Sequence, residues 1–308
     1  MQPDQNQRVT IERQEITLQT GDGLTLRGTR LLGPGRPKAA VILAHGYAEH
    51  SGRYEPLMRA LAASRFAVYA VDHRGHGRSD GERCFIGRFD QLVEDLDLVI
   101  AMAREEQAGK PCYLLGHSMG GLIAIRFALV HQEMLDGLIL LAPALRFFPK
   151  IIPGQERLVR RVASRLPKLP LIPNRSGLRS SDPDVDRQVD EDPFCYRGPV
   201  RAGTAVALAD AAVDAFERAS SLRIPILTMH GDDDRLIDPA GSMALYQRIG
   251  IRPDADNSLI TWPEMRHELL NEPDGEQVIG VILGWLNGHY TEWRKAHPAG
   301  KQAPSRSS

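Results

Sequence analysis

One serine in the sequence stands in a Gly-x-Ser-x-Gly pattern, Gly116-His117-Ser118-Met119-Gly120. A hydroxyl is a weak nucleophile until a base takes its proton. The chemistry open to such a serine, attack on an acyl carbonyl, therefore needs a histidine and an acid brought to it from elsewhere. The pattern alone is a common accident, and its surroundings give it weight. Pro111-Cys112-Tyr113-Leu114-Leu115 reads as a short buried strand, and Leu122-Ile123-Ala124-Ile125-Arg126-Phe127-Ala128 begins a helix. Ser118 then sits on a strand-to-helix turn. Neighbours without Cβ atoms let strand and helix approach there. The helix N-terminus aims its N–H groups and positive dipole end at the reacting centre.

The candidate base is selected by position among the histidines that follow. His297 lies in a polar tail, His289 ends the last helical segment, and His131 is at the far end of the helix that Ser118 would open. His230 ends a strand at an acidic loop and fits a structural role. His267, in Pro263-Glu264-Met265-Arg266-His267, follows the apolar segment 259–262, at the carboxyl end of a late strand where a base must stand. For the acid, the strand 224–230 ends in Gly231-Asp232-Asp233-Asp234-Arg235-Leu236-Ile237-Asp238-Pro239. Asp238 before Pro239 reads as a helix N-cap. Spacing does not choose among Asp232, Asp233 and Asp234. An oxyanion would be held by two backbone N–H groups. One is Met119, directly after the serine, and the other is Tyr47, in the loop His45-Gly46-Tyr47-Ala48-Glu49-His50 after the apolar run 41–44. His45 precedes Ser118, outside the order Ser…Asp…His, and reads as structural.

These residues need a scaffold that delivers distant loops to one edge. Segments 15–18 and 24–27, around Gly21-Asp22-Gly23, predict an antiparallel hairpin. Apolar runs without alternation follow at 39–44, 66–71, 112–115, 138–142 and 225–229, separated by segments of helical period such as 92–103 and 122–130. That alternation predicts an α/β fold with a mostly parallel sheet covered by helices on both faces. From 147 to 221 the alternation stops; the stretch is rich in Pro and Arg and shows no clear strand. Its apolar patches, as at 205–213, favour an inserted, mainly helical cap over a disordered excursion. The expected organisation is core 1–146, cap 147–221, core 222–295 and a disordered tail 296–308.

The chain has 308 residues, 42% hydrophobic and 25% charged, with a net charge of −1, which leaves no electrostatic footprint for nucleic acid. Cys84, Cys112 and Cys195 are scattered and form no disulfide framework. The polar N-terminus and the lack of a long apolar run make the cytoplasm the expected location. Phe148, Leu171 and Ile172 have two uses open to them, packing within the cap, which the pattern favours, or transient contact with a lipid interface.

Together these residues resemble the monoacylglycerol lipase and lysophospholipase branch of the α/β-hydrolases. The matching runs are His45 to Tyr54, Asp72-His73-Arg74-Gly75-His76-Gly77-Arg78-Ser79, Gly116 to Gly121, Gly231 to Leu236, His267-Glu268-Leu269-Leu270-Asn271-Glu272, and Asp192-Pro193-Phe194 in the cap. The resemblance implies Ser118 as nucleophile, Asp234 as acid, His267 as base, and Tyr47 and Met119 as oxyanion donors. It implies a small-molecule substrate, a carboxylic ester of glycerol or glycerophospholipid with one acyl chain, and no cofactor or metal. The loop 72–79 is expected to be scaffold. Arg53 matches a residue near the glycerol end, though a surface charge would look the same. Two departures bear on substrate: Leu270 stands where animal members carry a second histidine, and Tyr47 replaces a small residue. Thioester and amide hydrolysis share this machinery, and a non-catalytic binder is the remaining alternative. Dehalogenase and epoxide hydrolase chemistry would need a carboxylate in place of Ser118.

Overall fold

The computed structural model describes residues 10–147, 155–174, 177–250 and 256–298. The chain opens with a hairpin, β1 (Glu12–Gln19) and β2 (Thr25–Leu32). These strands run beyond the predicted 15–18 and 24–27, because their outward positions are polar and carry no apolar signal. Then come β3 (Ala40–Ala44), α1 (Glu55–Ala63), β4 (Ala67–Val71), α2 (Asp90–Glu106), β5 (Cys112–His117), α3 (Met119–His131) and β6 (Gly137–Leu141). The chain continues through α4 (Gln155–Arg165), β7 (Pro170–Ile172), α5 (Pro183–Glu191), β8 (Val200–Arg201) and α6 (Ala202–Arg218). It closes with β9 (Ile226–Gly231), α7 (Ala240–Ile249), β10 (Asn257–Trp262) and α8 (Gly275–Ala296).

This is the α/β-hydrolase fold. One eight-stranded sheet has the order β1-β2-β4-β3-β5-β6-β9-β10, with β3 to β6, β9 and β10 parallel and β2 antiparallel to its neighbours. Strands β3, β4, β5, β6 and β9 are buried along their whole length, as apolar runs without alternation require. Successive side chains feed opposite faces. Ile42, Tyr69, Leu114 and Leu138 join one core with residues of α2, α3 and α6. Val41, Val68, Tyr113 and Ile139 join another with residues of α1 and α8. Because β4 and β5 lie on opposite sides of β3, the order reverses there, and in open α/β sheets ligands bind at the carboxyl ends of the strands at such a point.

Two expectations change. The stretch 147–221 contains a small antiparallel pair, β7 with β8, where no strand was expected. Strands this short are too brief to show any period. At the C-terminus α8 includes Ala296; residues 299–308 of the expected tail lie outside the described residues, as does Phe148. Leu171 and Ile172 lie on β7, partly buried. Among the described residues no helix is long and apolar enough to cross a membrane.

The loop 72–79 is tied down by hydrogen bonds. Asp72 Oδ1 accepts from Ser51 N–H at 2.9 Å and from its hydroxyl at 2.6 Å, and Asp72 Oδ2 accepts from Arg78 N–H at 2.9 Å. Arg74 donates two hydrogen bonds to Asp95 on α2, at 2.6 and 2.7 Å. Beside this loop His45, His73 and His76 are all buried, with ring centroids 4.2 Å apart for the first pair and 5.5 Å for His45 and His76. Burial holds them below the ordinary 6.5, His45 at about 3, His76 at about 4 and His73 well below. Their folded pKa values lie under the unfolded ones, so unfolding takes up protons as these imidazoles reach water. Stability from this cluster is complete above the unfolded pKa and is lost as pH falls through the window toward 4. Urea denaturation at pH 7 and pH 5 should therefore show a falling unfolding free energy. His76→Asn, though less stable at pH 7, should flatten that dependence by about 1 kcal/mol per pH unit. An unchanged slope in the variant would contradict the account.

Candidate active site

Ser118 follows β5 and precedes the first residue of α3, with φ 53° and ψ −117°. A side-chain-bearing residue adopts this conformation only when its surroundings over-determine it, and hydrogen bonds do so here. Ser118 N–H donates to Leu141 O at 2.9 Å, and its carbonyl accepts from Leu122 N–H at 3.1 Å and Ala144 N–H at 3.0 Å. The glycines have separate steric reasons. A Cβ on Gly116 would lie 2.4 Å from Gly120 O, and one on Gly120 would lie 2.0 Å from Ala44 O. The start of α3 therefore passes directly against the end of β3 and the loop leaving it. Met119, at the first position of α3, has no acceptor for its N–H in a preceding helical turn.

The other two residues arrive on loops after β9 and β10. Ser118 Oγ is 2.8 Å from His267 Nε2, and His267 Nδ1 is 2.7 Å from Asp234 Oδ2. Since a carboxylate only accepts, Nδ1 carries the proton and Nε2 presents its lone pair to the serine hydroxyl. All three side chains are buried. Asp234 also accepts from His230 Nε2 at 3.0 Å, Leu236 N–H at 2.8 Å and Ile237 N–H at 2.9 Å. Burial alone would raise its carboxyl, but the electrostatic attraction of the His267 ring and the hydrogen bonds from His230 and His267 outweigh it and keep the group well below the carboxylate range. His230 Nδ1 accepts from the Ser242 hydroxyl at 2.7 Å, which fixes its tautomer.

The competing carboxylates are placed elsewhere. Asp232 Oδ1 accepts from Glu264 N–H at 2.7 Å, and the partly exposed Asp233 pairs with Arg235 and Arg266. Asp238 caps α7, which begins at Ala240 rather than at the proline; its Oδ1 accepts from Ala240 N–H at 3.0 Å. His45 donates from Nδ1 to Gly46 O at 2.8 Å and accepts His73 N–H at Nε2 at 2.9 Å, so it organises the loop. The Tyr47 hydroxyl donates to Cys84 O at 2.9 Å, which holds its ring. Leu270 sits in the turn Leu269–Asn271 and packs against the core shared with α8.

Arg53 excludes one of the two settings open to it. Its side chain is only 9% exposed and pairs with Glu49 at 3.2 Å and with Glu268, so it is not a surface charge. Glu49 and His117 belong to runs noted in the sequence, yet no role was read from them. Glu49 Oε1 accepts from Gly46 N–H at 2.6 Å and from the Tyr54 hydroxyl at 2.6 Å. His117 Nε2–H donates to His267 O at 3.2 Å, and its Nδ1 lies 2.7 Å from the Tyr54 oxygen and 3.3 Å from Glu49 Oε1. Burial works against a charge on His117, but the hydrogen bond and charge of Glu49 prevail and raise its pKa. A carboxylate three residues after Gly46, in the loop leaving β3, was the available signal. Its partner His117 was hidden because only the fold brings the two together.

An α/β-hydrolase sheet with a strained serine joined to a histidine and an aspartate defines the class, a serine hydrolase. The family model described as serine aminopeptidase, S33 (Hydrolase_4) matches residues 35–274. The chain is 34% identical over 253 residues to the monoacylglycerol lipase of Mycolicibacterium smegmatis, covering 82% of this chain and 89% of that protein. It is 35% identical over 215 residues to the monoglyceride lipase of Homo sapiens, covering 69% and 71%. The crystal structure of Paleococcus ferrophilus monoacylglycerol lipase superposes with a TM-score of 0.74 at 28% identity, covering 91% of this chain and 99% of that one. The chain belongs to the Hydrolase_4 family of α/β-hydrolases, in its monoacylglycerol lipase-like branch.

The steric argument at the elbow has a direct test. Gly120→Ala must push α3 away from β3, displacing Ser118 and the Met119 N–H together. A misplacement of about 1 Å costs on the order of 100-fold in rate, so labelling of the serine by a fluorophosphonate probe should slow by about that factor, with a lower melting temperature.

Proposed function

We propose that this chain hydrolyses monoacylglycerols or similar single-chain carboxylic esters, with Ser118 as nucleophile, His267 as base and Asp234 as acid. The observation that carries the reading is the unbroken line from Ser118 Oγ through the His267 ring to Asp234, at 2.8 and 2.7 Å. Ser118 Oγ attacks the ester carbonyl as His267 Nε2 takes its proton. The imidazolium is stabilised by Asp234, which stays ionised. The N–H groups of Met119 and Tyr47 receive the oxyanion. Collapse expels the alcohol, protonated by His267, and leaves an acyl-enzyme. Water, deprotonated by the same imidazole, then attacks the acyl carbon and frees the carboxylic acid.

Residues 147–221 serve in this proposal as a cap between the two core halves, 1–146 and 222–295, sheltering the acyl chain from water. Support comes from the bonds that join this segment to the site loops: Glu268 N–H donates to Arg179 O at 2.8 Å, and Tyr196 N–H to Ala48 O at 2.8 Å. Arg53, buried beside the loop of Tyr47, is placed in the proposal at the alcohol end of the substrate, acting with Glu49 and Glu268. Leu270, partly buried in the turn Leu269–Asn271, is placed there as an apolar contact in the same proposal. The lipase names of the relatives support the ester reading. The family's description as an aminopeptidase favours a second reading, amide hydrolysis. A free amino terminus needs an available carboxylate, and the two nearby, Glu49 and Glu268, are both engaged by Arg53.

Ser118→Ala should abolish turnover of monoacylglycerols while the protein stays folded. Asp234→Asn should lower kcat by about 10⁴-fold, since the imidazole loses its partner for the charged form and can take the wrong tautomer. Comparing kcat/KM for monoacylglycerols, lysophospholipids, acyl thioesters and aminoacyl anilides tests the substrate class. Monoacylglycerols should lead, and a preference for anilides would overturn the ester reading.

A further inference from the structure

The loop after β3 meets the turn after α5, Asp192 to Cys195. His50, Asp192 and Cys195 bring an imidazole, a carboxylate and a thiol together there, with one donor atom of each within 4.8 Å of the others. His50 Nε2 is 2.8 Å from Asp192 Oδ2. The imidazole and carboxylate are 15% and 25% exposed, while Cys195 is only 5% exposed, so solvent reaches the first two and the thiol is nearly sealed.

The cluster is held in place from several sides. Asp192 Oδ1 accepts from Phe194 N–H at 2.8 Å and Asp192 O from Cys195 N–H at 3.2 Å, so carboxylate and thiol belong to one hydrogen-bonded turn. Tyr196 N–H, donating to Ala48 O at 2.8 Å, fastens that turn to the loop carrying His50. The Phe194 ring packs edge-on against the His50 ring at 5.7 Å. Mixed nitrogen, oxygen and sulfur donors suit Zn²⁺, whereas Mg²⁺ and Ca²⁺ require oxygen. Three protein donors leave a coordination position for water. The nearby Arg53 charge is offset by Glu49 and Glu268.

We propose that His50, Asp192 and Cys195 form a binding site for a thiophilic divalent cation, Zn²⁺ in particular, joining the loop after β3 to the turn after α5. Binding is a balanced exchange. Burial pushes the Cys195 thiol up to about 12, and its proton leaves for solvent as the metal–sulfur bond forms. His50 now accepts Gly52 N–H at Nδ1 and donates from Nε2 to Asp192; on binding its proton moves to Nδ1 and the Nε2 lone pair goes to the ion. The Gly52 bond given up is long, 3.2 Å, and exposed to water. Asp192 exchanges the His50 proton for the metal, and one proton is released per ion.

The test uses the full chain, reduced and stripped of metal, titrated with Zn²⁺ by calorimetry in buffers of different ionisation enthalpy and with Co²⁺ by absorption. One ion per chain, one proton released and a thiolate-to-cobalt charge-transfer band are expected. Cys195→Ser should lose the band, and His50→Gln and Asp192→Asn should each weaken Zn²⁺ binding by at least about tenfold. Circular dichroism of each variant checks the fold without relying on turnover, so the result does not depend on the proposed hydrolysis. The proposal is overturned if the wild type takes up no Zn²⁺ at micromolar concentrations. It is equally overturned if a folded Cys195→Ser keeps the band, or if folded His50→Gln and Asp192→Asn bind as the wild type does.

Discussion

The close passage of α3 against the end of β3 governs the arrangement of the rest. Gly120 faces Ala44 O at a distance no side chain could share, and Gly116 faces the backbone of Gly120 in the same way. With those two contacts made, Ser118 has little choice but its positive φ, and its carbonyl and N–H are both engaged. The same contact sets the Met119 N–H beside the loop that leaves β3. Ser118 and the Met119 N–H are thus positioned together by one piece of backbone packing.

Charge is then distributed around that point in two layers. Asp234, with four hydrogen-bond donors, is held as an anion despite burial, so it can balance a charge on His267 without taking its proton. Behind the serine, Glu49 links Gly46, Tyr54, His117 and Arg53, and Arg53 continues to Glu268, the residue after the histidine. Buried ion pairs of this kind contribute little net stability against apolar packing. Their effect lies in fixing where neighbouring backbone stands.

Much of this was legible in the sequence, for identifiable reasons. Strands β3 to β6 and β9 are buried on both faces and therefore appear as unbroken apolar runs, and Gly-x-Ser-x-Gly between strand and helix marks the elbow. His267 could be selected by position, because parallel sheets gather their carboxyl ends on one edge. Which of three adjacent aspartates faces His267 could not be read from spacing, since only the turn after β9, closed by Leu236 and Ile237 N–H groups, decides which carboxylate turns inward. Glu49 and Arg53 are neighbours in sequence, but the partners that complete their network, His117 and Glu268, lie far away in the chain. The pair β7 and β8 escaped because strands of two or three residues have no period to detect.

The bonds between the segment 177–186 and the loop 266–272 have one further consequence. Arg179 O holds Glu268 N–H, Ser180 O holds the Arg266 guanidinium at 2.8 Å, and Ser181 N–H holds Glu272 at 3.0 Å. That part of the insertion is stitched to the very loop that carries His267, and lifting it would drag the histidine out of register with the serine.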